Sequence, residues 1–157
     1  SNLVTRRAQA AGPRGMVGGQ MLDILSSGAD LDMAAIVRMQ RLKTGELFSF
    51  ACEAGAILAK VPGKARQSLS SYAHDLGLAF QITDDVMDAA GSTAETGKSV
   101  RKDAENNKPN FVTLLGVDRA KAQAEMLAAQ AMRHLDMFDE RADLLRSLAR
   151  YAIDRKM

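Results

Sequence analysis

Apolar residues recur along this chain at the three- and four-residue spacing of a helix, with almost none of the strict alternation that marks a strand. Leu3 to Ala11 reads as a helix that stops at Gly12-Pro13, and a second helix is expected from Pro13 to Ser26, since proline is tolerated in a first turn. Gly18-Gly19 falls in the middle of it, at a cost of about 1 kcal/mol per glycine relative to alanine. Such a pair implies close contact with another helix or a local distortion. Gln20 and Asp23 form a polar spot one turn apart just beyond the glycines. Gly28 and Asp30 mark a turn, with Asp30 the expected N-cap of a long helix from Leu31 to about Lys60. Pro62-Gly63 ends that unit, and a fourth helix spans roughly Lys64 to Ala90. At about 1.5 Å per residue it would be some 40 Å long. From Gly91 to Asn110 the pattern gives way to glycine, asparagine, serine and lysine, the composition of a polar loop. Phe111 to Gly116 is a short apolar turn, followed by helices at about Asp118–Phe138 and Glu140–Lys156. The pattern predicts an all-α bundle with no hairpin or internal repeat.

The fourth helix carries an unusual cluster. Gly77, Gln81, Asp84 and Asp88 follow a 4-3-4 spacing that places them on one face, with Asp85 beside them and Leu76, Phe80, Ile82, Val86 and Met87 on either side. A polar stripe flanked by apolar surface is what the wall of a wet cavity looks like. On a solvated face, such like charges would cost only about 0.2–0.5 kcal/mol. In a cleft, two charges some 6 Å apart would repel by about 3 kcal/mol at an effective dielectric of 20. Carboxylate oxygens with room for water suit Mg²⁺, which takes oxygen ligands and keeps part of its hydration shell. They do not suit zinc, and Val86 and Met87 break the spacing of an EF-hand loop. The bland alternative is a clustered acidic face in solvent.

Composition narrows the function classes. With 157 residues and 46% apolar content, the chain can bury a core of one domain, and its 4% aromatic content with abundant Ala, Leu and Met favours helix. A formal net charge of +2 without a basic block makes nucleic acid an improbable partner. No apolar run is long enough to span a membrane. The single cysteine, Cys52, excludes an internal disulfide and fits a reducing, cytoplasmic setting, with the thiol expected to be buried and inert. Residues 1–157 read as a piece of a single, longer helical domain.

Several polar features fall on elements that could face one cavity. Lys43-Thr44-Gly45 lies mid-helix, where glycine is unfavourable unless something approaches closely. Lys98, Lys102 and Lys108 follow the carboxylates through the polar loop. Carboxylates with several lysines describe a site for a metal-bound polyanion such as diphosphate.

Four blocks together carry a resemblance: Met16-Val17-Gly18-Gly19-Gln20-Met21-Leu22-Asp23, Leu42-Lys43-Thr44-Gly45-Glu46-Leu47, Phe80-Gln81-Ile82-Thr83-Asp84-Asp85-Val86-Met87-Asp88, and Gly97-Lys98 to Lys102-Asp103. In this order they resemble the trans-polyprenyl diphosphate synthases, the farnesyl and geranylgeranyl diphosphate synthase family. The resemblance implies the isoprenoid-synthase helical bundle and a reaction that joins isopentenyl diphosphate to an allylic diphosphate by ionisation, condensation and deprotonation. It implies Asp84, Asp85 and Asp88 as Mg²⁺ ligands, with Asp84 foremost. Lys43 and Lys98 would contact the allylic diphosphate, Thr44 and Gln81 would turn their oxygens toward the developing allylic cation, and Lys108 falls near a further family lysine. A homodimer is the family's habit. Phe80, Met87, Leu47 and Phe48 are candidate walls for the apolar pocket.

The chain departs from the family in two places. It contains no second Asp-Asp cluster, so the family's first aspartate-rich motif has no counterpart in these 157 residues. The resemblance thus implies that residues 1–157 are the C-terminal portion of the helical domain, with its first helices outside this sequence. Lys108 sits in Asn107-Lys108-Pro109-Asn110, where Gly-Lys-x-Thr is the commoner pattern. The 157-residue chain alone is therefore expected to have little condensation activity. The competing readings are a non-catalytic helical subunit that regulates a partner synthase, and a class I terpene cyclase.

Overall fold

The computed structural model describes residues 2–94 and 108–155, with the side chains of residues 92–94 excepted. Its elements are α1 (Asn2–Ala11), α2 (Met16–Leu25), α3 (Met33–Gln40), a π-helical segment (Arg41–Gly45), α4 (Glu46–Leu58), α5 (Gly63–Ala94), α6 (Phe111–Leu115), α7 (Val117–Arg133), a 3-10 turn (Glu140–Ala142) and α8 (Asp143–Asp154). The described residues contain no strand, as the helical spacing predicts.

The 32-residue α5 is the axis of the bundle, packed by α7, α4, α8 and the π segment. Alanines make the closest of these contacts possible. Ala73 and Ala79 on α5, and Ala120, Ala124, Ala128 and Ala131 on α7, are all at most 3% exposed. With so little side chain between them, the two backbones approach nearer than leucines would permit. Two apolar clusters result. One gathers Ile36, Ile82, Val86, Phe111 and Leu127, and the other gathers Tyr72, Leu76, Leu135 and Ala149. The buried Tyr72 hydroxyl donates to the Leu145 carbonyl at 2.8 Å, which ties α5 to α8 and leaves no stranded donor. On the opposite flank, Arg6 of α1 and Arg66 of α5 both reach Glu53 of α4.

Several boundaries differ from the sequence expectation, and α7, for one, stops at Arg133 rather than Phe138. Helix α2 begins at Met16, not at Pro13, because Gly15 is its non-helical N-cap, pressed so close to the Ala10 carbonyl that a Cβ would meet its oxygen at 2.0 Å. Asp32, not Asp30, caps the third helix, accepting a hydrogen bond from the Ala35 amide at 2.8 Å. The positive φ of Gly28, 75°, turns the chain there, and residues 29–32 follow before helical geometry begins at Met33. Helix α5 continues to Ala94, so the first four residues assigned to the polar loop are helical. Residues 95–107 of that loop, with Lys98 and Lys102, lie outside the described residues.

The expected long helix from Leu31 to Lys60 is interrupted. Residues Arg41–Gly45 form a π turn between α3 and α4. π turns insert an extra residue per turn and recur at functional sites. Buried polar atoms without a hydrogen-bond partner, Gln40 Oε1 and His74 Nδ1, flank this one. No helix among the described residues is long and apolar enough to cross a membrane.

Candidate active site

The π turn carries Lys43 and Thr44 and sends these adjacent side chains to two different helices. The Lys43 ammonium donates to Asp23 Oδ2 of α2 at 2.9 Å, and the Thr44 hydroxyl donates to Gln81 Oε1 of α5 at 2.9 Å. Glycines make both approaches possible. A Cβ on Gly19 would sit 2.2 Å from the Lys43 nitrogen and 2.5 Å from its Cα, so only glycine lets α2 lie directly on the π turn. A Cβ on Gly77 would be 3.3 Å from the Gly45 Cα, so α5 is nearly as close on the other side. The Gly18-Gly19 pair thus marks a helix contact, and Gly77 and Gln81 do face Thr44 and Gly45, as their shared stripe predicts.

Asp23 is the residue whose part sequence reasoning missed. Its Oδ2 accepts from Lys43 and also from Lys108 at 3.3 Å, although 85 residues separate Lys108 from it. Burial pushes the Asp23 carboxyl up, but the hydrogen bonds and charges of the two lysines more than offset this and hold it below the usual carboxylate range. One carboxylate therefore gathers two ammoniums. Lys108 reaches this cluster despite its Asn-Lys-Pro-Asn setting. Asn110 then caps α6 through a reciprocal pair with Thr113. The signals available in the sequence were that Asp23 closes the Gly18-Gly19-Gln20 block and forms a polar spot with Gln20.

The three carboxylates on α5 have separate surroundings. Asp85 is the most enclosed, 8% exposed, and accepts the Phe111 amide at 3.1 Å. Burial pushes its carboxyl up to about 6; the Phe111 hydrogen bond and the Lys43 charge oppose this, while Asp88 and Asp84 add to it. Lys43 and the three aspartates therefore share one electrostatic neighbourhood. Asp84 is half-buried and bound to the Arg155 guanidinium at 2.7 Å. Asp88 is exposed. Among the described residues no three carboxylates are already gathered into a metal cage. The donor set nevertheless suits Mg²⁺, which is commonly held by one or two carboxylates with water and phosphate oxygens completing its shell. Asp85, raised chiefly by burial and further by the charges of Asp88 and Asp84, is a carboxylate whose ionised form a divalent cation would favour.

Apolar surface lies beside Thr44 and Gln81. Phe48 and Phe80 pack with ring centroids 5.6 Å apart, and Leu47 and Phe48 open onto a groove of about 1200 Å³ that continues along Cys52, Ala56 and Leu145. The carboxylates and lysines of the polar site lie outside this groove. Met87 faces away from it, onto a smaller cavity shared with Thr83, Val86 and Arg155. Cys52, expected to be buried, is half-buried on the wall of the groove, and burial raises its thiol.

Two lysines gathered on Asp23, beside a Thr44–Gln81 hydrogen bond, thus stand on an all-helical frame. The model of the family described as polyprenyl synthetase matches residues 7–148, and the chain belongs to that family. It is 36% identical to farnesyl diphosphate synthase of Escherichia coli over 158 aligned positions, covering 98% of this chain and 53% of that protein. It is similar in structure to an FPP/GFPP synthase from Zymomonas mobilis, with a TM-score of 0.83, 42% identity, and coverage of 97% of this chain and 49% of that one. A geranyltransferase from Helicobacter pylori, solved with magnesium and isoprenyl diphosphate, shares the fold at a TM-score of 0.75 and 23% identity. The chain spans about half the length of the curated relatives it matches.

Proposed function

We infer that this chain supplies the allylic-diphosphate half of a prenyltransferase that joins isopentenyl diphosphate to an allylic diphosphate, of the farnesyl or geranylgeranyl diphosphate synthase type. The observation that carries this reading is the pair of lysine ammoniums, Lys43 and Lys108, held on Asp23 beside the Thr44–Gln81 hydrogen bond, with Lys43 within electrostatic reach of Asp85 on α5. Asp84, Asp85 and Asp88 are the residues that would hold Mg²⁺. When bound, the ion neutralises a diphosphate and draws off the charge that grows as the carbon–oxygen bond breaks.

The chain's own residues do the rest. Lys43 and Lys108 sit ready to donate to diphosphate oxygens, and fixed cations of this kind favour the departing group more than the intact ester. Lys98, which lies outside the described residues, is proposed as a further diphosphate contact. Thr44 and Gln81 present oxygens to the allylic carbon as it becomes positive, at positions fixed by their mutual hydrogen bond. Leu47, Phe48 and Phe80 supply apolar surface that keeps water from quenching the cation. A homodimer in the cytoplasm is the assembly and location proposed with this function.

Calorimetric titration of geranyl S-thiodiphosphate, an unreactive allylic analogue, into the 157-residue chain tests the reading. Binding is expected with Mg²⁺, should vanish with EDTA, and should weaken at least about tenfold in Lys43→Ala, the scale of one lost charge-assisted hydrogen bond. Affinity indifferent to both Mg²⁺ and Lys43 would overturn it.

A further inference from the structure

Arg155 does not belong to any block that sequence analysis marked, yet among the described residues it is the side chain bound to Asp84. Its guanidinium donates to Asp84 Oδ1 at 2.7 Å and to the Phe80 carbonyl at 3.2 Å, while its Nε donates to the Ala152 carbonyl at 3.1 Å. The guanidinium carbon also lies 4.0 Å from the centroid of the Phe80 ring. The side chain is 18% exposed. Four contacts from three sides are far more than an adventitious surface pair makes, and a planar cation stacked on a ring and hydrogen-bonded to a carboxylate is held in one geometry. Arg155 thus fills the coordination space of one oxygen of Asp84, 71 residues away in the chain.

We propose that Arg155 is a latch on the metal site: in the ligand-free protein its guanidinium occupies Asp84, and a divalent cation gains that carboxylate by displacing it. This rests on the assignment of Asp84 as a metal ligand in the preceding section. Two cations cannot share one carboxylate oxygen at contact distance without strong mutual repulsion. Release also has an easy path. Arg155 follows the last residue of α8, and its backbone, with φ of −57° and ψ of 122°, has already left helical geometry. The side chain can therefore swing without unwinding α8. The latch neutralises Asp84 in the metal-free state and raises the cation concentration at which the site fills. It leaves Asp85 and Asp88 as the first carboxylates an arriving ion meets.

Mn²⁺ binding, read from the electron-paramagnetic signal of the free ion in the presence of inorganic diphosphate, tests this on the 157-residue chain. Arg155→Gln should bind Mn²⁺ roughly tenfold more tightly than wild type, as expected when a partly buried charge-assisted contact no longer competes. The gain should disappear in the Asp84→Asn background. Arg155→Lys, which keeps the charge but loses the fork and the ring stacking, should fall between. Arg150→Gln, which removes an exposed arginine from the same helix, should change affinity far less. In wild type, the Arg155 Nε–H resonance should be displaced by the Phe80 ring current and return toward the free value as Mg²⁺ is added. Unchanged affinity in Arg155→Gln, with Asp84→Asn still weakening Mn²⁺, would overturn the latch and leave the metal assignment standing. A gain that persists without Asp84 would reduce the effect to net charge and also overturn it. Absence of Mn²⁺ binding in every variant would overturn both the latch and the metal assignment.

Discussion

Gly19→Ala subjects the architecture of the site to its most direct mechanical test. The added methyl would lie 2.2 Å from the Lys43 nitrogen, 2.5 Å from its Cα and 2.8 Å from the Leu42 carbonyl carbon, all backbone atoms that no rotamer change can move. Carbon contacts settle at about 3.5–4.0 Å, so α2 must retreat from the π turn by more than about 1 Å. Asp23 lies one turn farther along α2 and retreats with it, breaking its 2.9 Å contact with Lys43. Overpacking costs about 1–3 kcal/mol and a lost hydrogen bond to a charged group about 1.5–3 kcal/mol, offset by about 1 kcal/mol of improved helix propensity. The net expectation is a loss of roughly 2–4 kcal/mol, with weaker Mg²⁺-dependent binding of the thiodiphosphate analogue. Gly55→Ala is the matched control: it is also a helical glycine, but nothing lies within 4 Å of its Cβ direction. It should gain about 0.5–1 kcal/mol from propensity alone. Urea unfolding followed by far-ultraviolet circular dichroism reads both. Equal stability of Gly19→Ala and wild type, or a shift of the same sign as Gly55→Ala, would refute the close packing of α2 on Lys43.

Other expectations follow from single contacts. In metal-free buffer the Asp85 carboxyl, pushed up to about 6 from 3.8, favours the protonated folded state, so its contribution to stability declines as pH rises from about 4 to about 6. Asp85→Asn should remove that slope and stabilise the metal-free protein near neutral pH by at most about 3 kcal/mol, because Asn can still accept from Phe111; thermal melts at pH 4 and pH 7.5 decide it. Tyr72→Phe should lower the melting temperature by about 2–4 °C, the equivalent of roughly 1 kcal/mol for the hydrogen bond to Leu145; an unchanged melt would contradict its value. Asp32→Ala should cost about 1 kcal/mol in urea unfolding, while Asp30→Ala stays within about 0.5 kcal/mol, and the reverse order would return the cap to Asp30.

The stripe Gly77, Gln81, Asp84, Asp88 and the glycine pair at 18 and 19 were legible in the sequence because both are local. A helical face is fixed by spacing, and a mid-helix glycine announces close packing. The π turn was not, since five residues at wider pitch inside an apolar helical run leave the same sequence pattern as an uninterrupted helix. Only Gly45 hinted at it. Asp32 lost out to Asp30 because both are good caps and the turn at Gly28 fixes the starting residue only in three dimensions. Asp23 joined to Lys108, and Asp84 joined to Arg155, are pairings across 85 and 71 residues. They are decided by how α2, α5 and the end of α8 converge, which no local pattern encodes.

The central claim is that Asp84, Asp85 and Asp88 face Lys43 and Lys108 across the place where a metal-bound diphosphate sits. Anomalous diffraction from crystals of the 157-residue chain grown with Mn²⁺ and geranyl S-thiodiphosphate addresses it directly. The account predicts manganese coordinated by one or more of the α5 carboxylates and by diphosphate oxygens, with other diphosphate oxygens within hydrogen-bond reach of Lys43 Nζ. Manganese and thiodiphosphate bound elsewhere, with Lys43 still turned wholly to Asp23 and the α5 carboxylates free of metal, would contradict it.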